Sequence, residues 1–287
     1  MSPQVQSFHH ADTGTWSYLV LDPATSQAAI VDSVLDYDAH SGRTGGASAQ
    51  AILDAAGACG ADVRWLLETH AHADHLSAAH WLKQRLPRAR IAIGRRIREV
   101  QRTFVPVLGL DAKIEADGSQ FDHLFEDEEE FAIGQLRALT IAVPGHTLDS
   151  LAYLIGDAVF VGDSLFMPDS GTARCDFPGG DAAMLYASIR HLYELSDDTR
   201  VYVCHDYGPE GRAPLCESSI GEHKRANIHV RADTTEADFV RMREARDATL
   251  AVPALILPAL QINLRAGALP EAEDNGVRYL KIPLNQL

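Results

Sequence analysis

Cysteine is scarce in this chain of 287 residues, and the four present (Cys59, Cys175, Cys204, Cys216) lack the Cys-x-x-Cys spacing of a thiolate metal site. Four are also too few for a disulfide framework, so free thiols in a reducing compartment are expected. Aromatic residues make up 7% of the chain, which argues against a stacking surface for sugars or single-stranded nucleic acid. No run approaches the roughly 18 apolar residues of a membrane span. Met1-Ser2-Pro3-Gln4 has neither the basic start nor the apolar core of a signal peptide, so a cytoplasmic protein is expected. Positive charge is in deficit: 25 Lys and Arg stand against 40 Asp and Glu, a net −15. That balance lacks the basic face by which proteins hold nucleic acid or anionic membranes. A small anionic substrate stays open, because one local arginine suffices for it.

What the chain does have is histidine, 13 in all. Their placement follows the organisation of the chain. Residues 16–21 and 28–31 are short apolar runs with the reading of strands, and 41–46 is Gly-rich and polar, expected as a loop. Residues 47–58 have helical spacing. A strand at 63–68 runs directly into Thr69-His70-Ala71-His72-Ala73-Asp74-His75, after which 76–86 is helical again. The stretch 109–130 is acidic and loop-rich. A strand at 136–143 ends at Pro144-Gly145-His146-Thr147, and a hairpin of 150–155 with 158–161 ends at Gly162-Asp163. Residues 182–195 are helical, and a strand at 200–204 ends at His205. Segments 217–229 and 236–249 read as helices, and the tail from 256 is mixed and turn-rich. Strands precede helices in both halves, which predicts an α/β chain folded as an αββα sandwich. The expectation is one catalytic domain over 1–287 with a C-terminal extension from about residue 217.

Four strand ends therefore carry metal-type donors: His70, His72, Asp74 and His75, then His146, Asp163 and His205. Strand-end loops on a rigid sheet are where side chains converge on one point, and imidazole with carboxylate suits zinc, iron or manganese. Positions i and i+2 of an extended loop point the same way, so His70 and His72 share a side, while Asp74 suits a helix N-terminus. Alone, His146 or His205 reads as a hydrogen-bonded structural histidine and Asp163 as a turn residue. Three histidines and an aspartate within 70–75 are another matter, because unpaired imidazoles bury poorly. His9, His10, His40, His80, His123, His191, His223 and His229 lack such company, though His9 and His10 stand near enough to be watched.

These motifs, Thr69 to His75, Pro144 to Thr147, Gly162-Asp163 and His205, resemble the metallo-β-lactamase superfamily in kind and in order. The resemblance spans about residues 10–210. It implies the αββα sandwich with a metal site at one edge of the sheets. Gly171-Thr172-Ala173-Arg174-Cys175-Asp176-Phe177 and Cys204-His205-Asp206-Tyr207 further resemble the persulfide dioxygenase (sulfur dioxygenase) branch, bacterial type. That likeness implies a single Fe(II) held by His70, His146 and Asp163, three positions left for water, O2 and a sulfur, and oxidation of glutathione persulfide to sulfite and glutathione. Arg174 is then a candidate clamp for a substrate carboxylate, with Thr147 and Tyr207 as candidate substrate contacts. His72, Asp74, His75 and His205 become supporting partners or a second metal site. Some relatives carry a cysteine where this chain has Thr172, so no role of that cysteine carries over. The rival implied by the same superfamily is a two-zinc hydrolase of glutathione thioesters, like glyoxalase II, or of lactones. Its metals would sit on His70, His72 and His146 and on Asp74, His75 and His205, bridged by Asp163. A non-catalytic sulfur sensor is a distant third. The sequence leaves the oligomeric state open, and a homodimer contact is one use for the tail.

Overall fold

The computed structural model describes residues 2–110 and 113–286. In chain order its elements are β1 (Gln4–His10), β2 (Thr15–Leu21), β3 (Gln27–Val31), β4 (Val34–Asp38), β5 (Arg43–Gly45), α1 (Ala47–Ala58), β6 (Asp62–Leu67) and β7 (Leu76–Ser77). Then come α2 (Ala79–Lys83), β8 (Arg90–Gly94), α3 (Ile97–Val107), β9 (His123–Phe125), β10 (Glu130–Ile133), β11 (Leu136–Ala142), β12 (Leu151–Ile155) and β13 (Ala158–Phe160). The last are α4 (Ala182–Leu192), β14 (Arg200–Tyr202), β15 (Glu217–Ser219), α5 (Ile220–Ala226), α6 (Glu236–Asp247) and α7 (Ile256–Asn263). Two six-stranded sheets result, ordered β1-β2-β3-β6-β8-β9 and β10-β11-β12-β13-β14-β15, with β5-β4-β7 as a small third.

The period-two alternation of side chains decides the layers. In β2, Tyr18 and Val20 enter the core between the sheets while Leu19 points to the outer face. In β12, Leu151, Tyr153 and Ile155 enter that same core while Ala152 faces outward. Each outer face is covered by helices: α1, α2, α3 and α7 on the first sheet, α4, α5 and α6 on the second. This is the expected αββα sandwich. Burying both faces of a sheet this way removes apolar area worth about 25 cal/mol per Å2.

Several local expectations are corrected. Residues 41–46 are not all loop, since Arg43–Gly45 pairs antiparallel with β4. Leu76 and Ser77 do not open a helix but pair with Leu35 and Val34. The helix expected from 217 starts at 220, because Glu217–Ser219 adds a strand to β14. Ser219 and Glu222 then form a reciprocal cap that fixes the start. The acidic stretch 109–130 contains β9, with 111 and 112 outside the described residues.

Candidate metal centre

Four strands deliver the donors to one edge of the sandwich: β6 leads to His70–His75, β11 to His146, β13 to Asp163 and β14 to His205. Glycines make two of these turns. Gly162 has φ +54°, and a Cβ there would stand 2.8 Å from Thr69 Oγ1. Gly145 has φ +138°, and a Cβ would collide with the Leu185 backbone at 2.3 Å.

His70, His146 and Asp163 come together. Asp163 Oδ2 lies 3.9 Å from His70 Nε2 and 3.7 Å from His146 Nε2, and the three donor atoms fall within 4.8 Å of one another. Hydrogen bonds fix which nitrogen is bare. Thr69 gives its hydroxyl proton to Asp32 Oδ2 at 2.9 Å, so His70 Nδ1 donates to Thr69 Oγ1 at 3.0 Å. His146 Nδ1 donates to the Arg174 carbonyl at 2.7 Å. Both rings therefore present an unprotonated Nε2 to the same point. Burial holds His70 well below the usual imidazole range, which keeps it neutral. His70 Nε2 has no hydrogen-bond partner among the described residues. A buried lone pair facing a carboxylate oxygen and a second lone pair is a set that a divalent cation completes.

The remaining motif residues surround this set. His205 lies between two carboxylates, Nδ1 2.6 Å from Asp163 Oδ1 and Nε2 2.5 Å from Asp74 Oδ2. Burial alone would lower its pKa, but Asp163 and Asp74 outweigh that and hold it well above the usual range. His72 turns Nε2 to Asp32 at 3.1 Å and Glu68 at 3.6 Å. Their charges raise it to about 9 against the burial penalty. Burial pushes His75 down to about 4. The buried atoms His72 Nδ1 and His75 Nε2 also lack hydrogen bonds.

Beside these donors opens a cavity of about 460 Å3, lined by Asp74, His146, Asp163, Phe166, Tyr207 and Arg246 among others. Tyr207 stacks on the His205 ring, centroids 6.0 Å apart. Arg174 lines the cavity as well, but its guanidinium is engaged: Nε and Nη2 donate to Asp176 at 2.6 Å, and Nη1 to the Ala251 carbonyl. Thr147 turns its hydroxyl to Ser150 at 2.6 Å and is not part of the lining. Of the other two arginines in the wall, Arg243 is buried and paired with Asp247, while Arg246 is exposed and makes no ion pair among the described residues. Sequence reading passed over Arg246, Arg243 and Asn263, which no motif marks. It also passed over Asp32, although that residue ends an apolar strand as Asp163 nearly does. Asp32 has φ +49° and 2% exposure, and three groups converge on its carboxylate: Thr69 N, Thr69 Oγ1 and His72 Nε2.

The chain matches the family described as the metallo-beta-lactamase superfamily over residues 11–205. A probable metallo-hydrolase of Burkholderia pseudomallei is 51% identical over 99% of both chains. A beta-lactamase hydrolase-like protein of Agrobacterium fabrum is 52% identical over 99% of this chain, which spans 65% of that relative's length. The mitochondrial persulfide dioxygenase ETHE1 of Bos taurus is 27% identical over 88% of this chain and 84% of its own. Among solved structures, ETHE1 from Myxococcus xanthus superposes with a TM-score of 0.73 at 31% identity, covering 92% of this chain and 100% of that one. With fold, donor order and these likenesses in agreement, the chain belongs to the metallo-beta-lactamase superfamily, on the branch of ETHE1.

Proposed function

We propose that the chain is a persulfide dioxygenase that holds one Fe(II) on His70, His146 and Asp163 and oxidises glutathione persulfide with O2. Persulfide, O2 and water would give the thiol and sulfite. The observation that carries this reading is the division of the donors. Three converge through bare atoms, while His205 has both nitrogens committed to Asp163 and Asp74 and His72 leans on Asp32. A set of two neutral imidazoles and one carboxylate with open positions is the pattern of non-haem iron oxygenases. When bound, ferrous iron supplies the unpaired electrons that let triplet O2 react with a closed-shell sulfur.

The chain's own residues do the rest. Hydrogen bonds from His70 Nδ1 to Thr69 Oγ1 and from His146 Nδ1 to the Arg174 carbonyl hold both imidazoles in the ligating tautomer. Phe166, Phe177 and Tyr207 line an apolar approach to the donors. Arg246 is the wall's unpaired cation for a substrate carboxylate, and Arg174 would join it by exchanging Asp176 for the ligand.

The two-metal hydrolase is the second reading. It is favoured by the bare, buried His72 Nδ1 and His75 Nε2, and by the hydrolase name of the 51% identical relative. An oxygen electrode separates the two readings. Glutathione persulfide should drive O2 uptake by protein carrying about one iron per chain. Hydrolysis of a glutathione thioester without O2 uptake, by protein carrying two zincs, would overturn the dioxygenase.

A further inference from the structure

The loop that carries His70 and the segment whose carbonyl holds His146 are both tied down from the carboxy-terminal segment. Asn263, the last residue of α7, is 4% exposed. Its Oδ1 accepts the Ser77 N–H at 2.8 Å, and its Nδ2 donates to the carbonyls of His72 and His75, each at 2.8 Å. Those carbonyls lie 191 and 188 positions back in the chain. The orientation of the amide is fixed, since the flipped form would set its oxygen against two carbonyls. One side chain thus ties down the backbone of the loop that presents His70.

The 172–175 segment is held by α6. Arg243 is 1% exposed and donates Nη1 to the Thr172 carbonyl at 3.0 Å and Nε to Asp247 Oδ1 at 2.8 Å. Asp247 Oδ2 accepts the Cys175 N–H at 2.8 Å. These two anchors bracket Arg174, whose carbonyl receives the His146 Nδ1 proton. Moving that carbonyl would release the ring that carries a donor atom. A buried charge pair is retained at high desolvation cost only where geometry and further hydrogen bonds complete it, as they do here.

We propose that Asn263 and the Arg243–Asp247 pair are positioning residues for the metal ligands, Asn263 through the backbone of the 70–77 loop and the pair through the Arg174 carbonyl. The proposal depends on the donor set and not on which reaction follows, so metal affinity tests it apart from the dioxygenase reading. Protein stripped by a chelator would be titrated with Co(II) under chelator competition, watching the visible absorption of the bound ion. Asn263→Ala and Asp247→Ala should each weaken binding by about 10–100-fold and alter the band intensities. Tyr193→Phe, which removes a buried hydroxyl bonded to the Val230 carbonyl away from the donors, should keep wild-type affinity and spectrum. Should Asn263→Ala fail to fold, the near-isosteric Asn263→Asp, which keeps the acceptor and loses both donors, takes its place with the same expectation. Arg243→Lys, which keeps the charge and loses the planar fork, should fall between wild type and Asp247→Ala. Wild-type affinity in the Asn263 and Asp247 variants would overturn the proposal, and so would an equal loss in Tyr193→Phe.

Discussion

At the site, the partner of each side chain decides what it does. His70 and His146 are ordinary imidazoles until Thr69 and the Arg174 carbonyl take their Nδ1 protons. His205, beside them, has both nitrogens committed to carboxylates. His205→Ala therefore separates the two readings of the site. With one metal, it should loosen Asp163 and weaken metal affinity about 10–100-fold while one ion per chain still binds at saturation. With two metals, it should halve the stoichiometry, as metal analysis per chain would record. For substrate, Arg246→Ala should raise KM for an anionic persulfide roughly tenfold, the loss of one charge-assisted contact, with metal content kept. An unchanged KM would return Arg246 to an ordinary surface position.

The turns and helices that deliver the donors are as constrained as the donors. Gly162 combines a left-handed backbone with a Cβ position pressed on Thr69. Gly162→Ala should cost about 1–3 kcal/mol in chemical denaturation and weaken metal binding along with it. Helix α5 brings a second sensitivity. His223, near its end, sits between Ser218 Oγ and Asn227 Nδ2, and burial pushes it down to about 4; burial does the same to His229, which also faces Arg243 and Arg246. The folded pKa of each lies below the unfolded value near 6.5, so the unfolded chain binds more protons as pH falls. The share of stability that rests on these two histidines should be full above pH 6.5 and should decline from there toward 4. The urea midpoint followed from pH 7 to 4.5 should show this, and His223→Gln should flatten the profile. Most elements were legible in the sequence because apolar alternation and Gly or Pro breaks encode them locally. The 217–219 strand and the 76–77 strand were not, because strand pairing with β14 and β4 overrode helical composition.

Over the whole molecule, the net charge of −15 would oppose the proposed anionic substrate, which a bound metal and Arg246 would attract locally. Screening weakens the distant charges more than the contacts, with a Debye length of about 30 Å at 0.01 M and about 8 Å at 0.15 M. KM for the persulfide should therefore fall as salt rises over that range, while kcat holds. A rise in KM would mean that local cations govern the encounter. Among the described residues no helix is long and apolar enough to cross a membrane. The segment beyond residue 217 is built into the sandwich, with β15 in the second sheet and α7 against the outer face of the first. By itself the sequence determined the types of donor, their order and their places at strand ends, because those depend on local spacing and on alternation along each strand. Only the tertiary structure decided which donors are bare and share a point. Those outcomes hang on Asp32, Arg243, Asp247 and Asn263, partners remote in sequence that packing alone brings within hydrogen-bond reach.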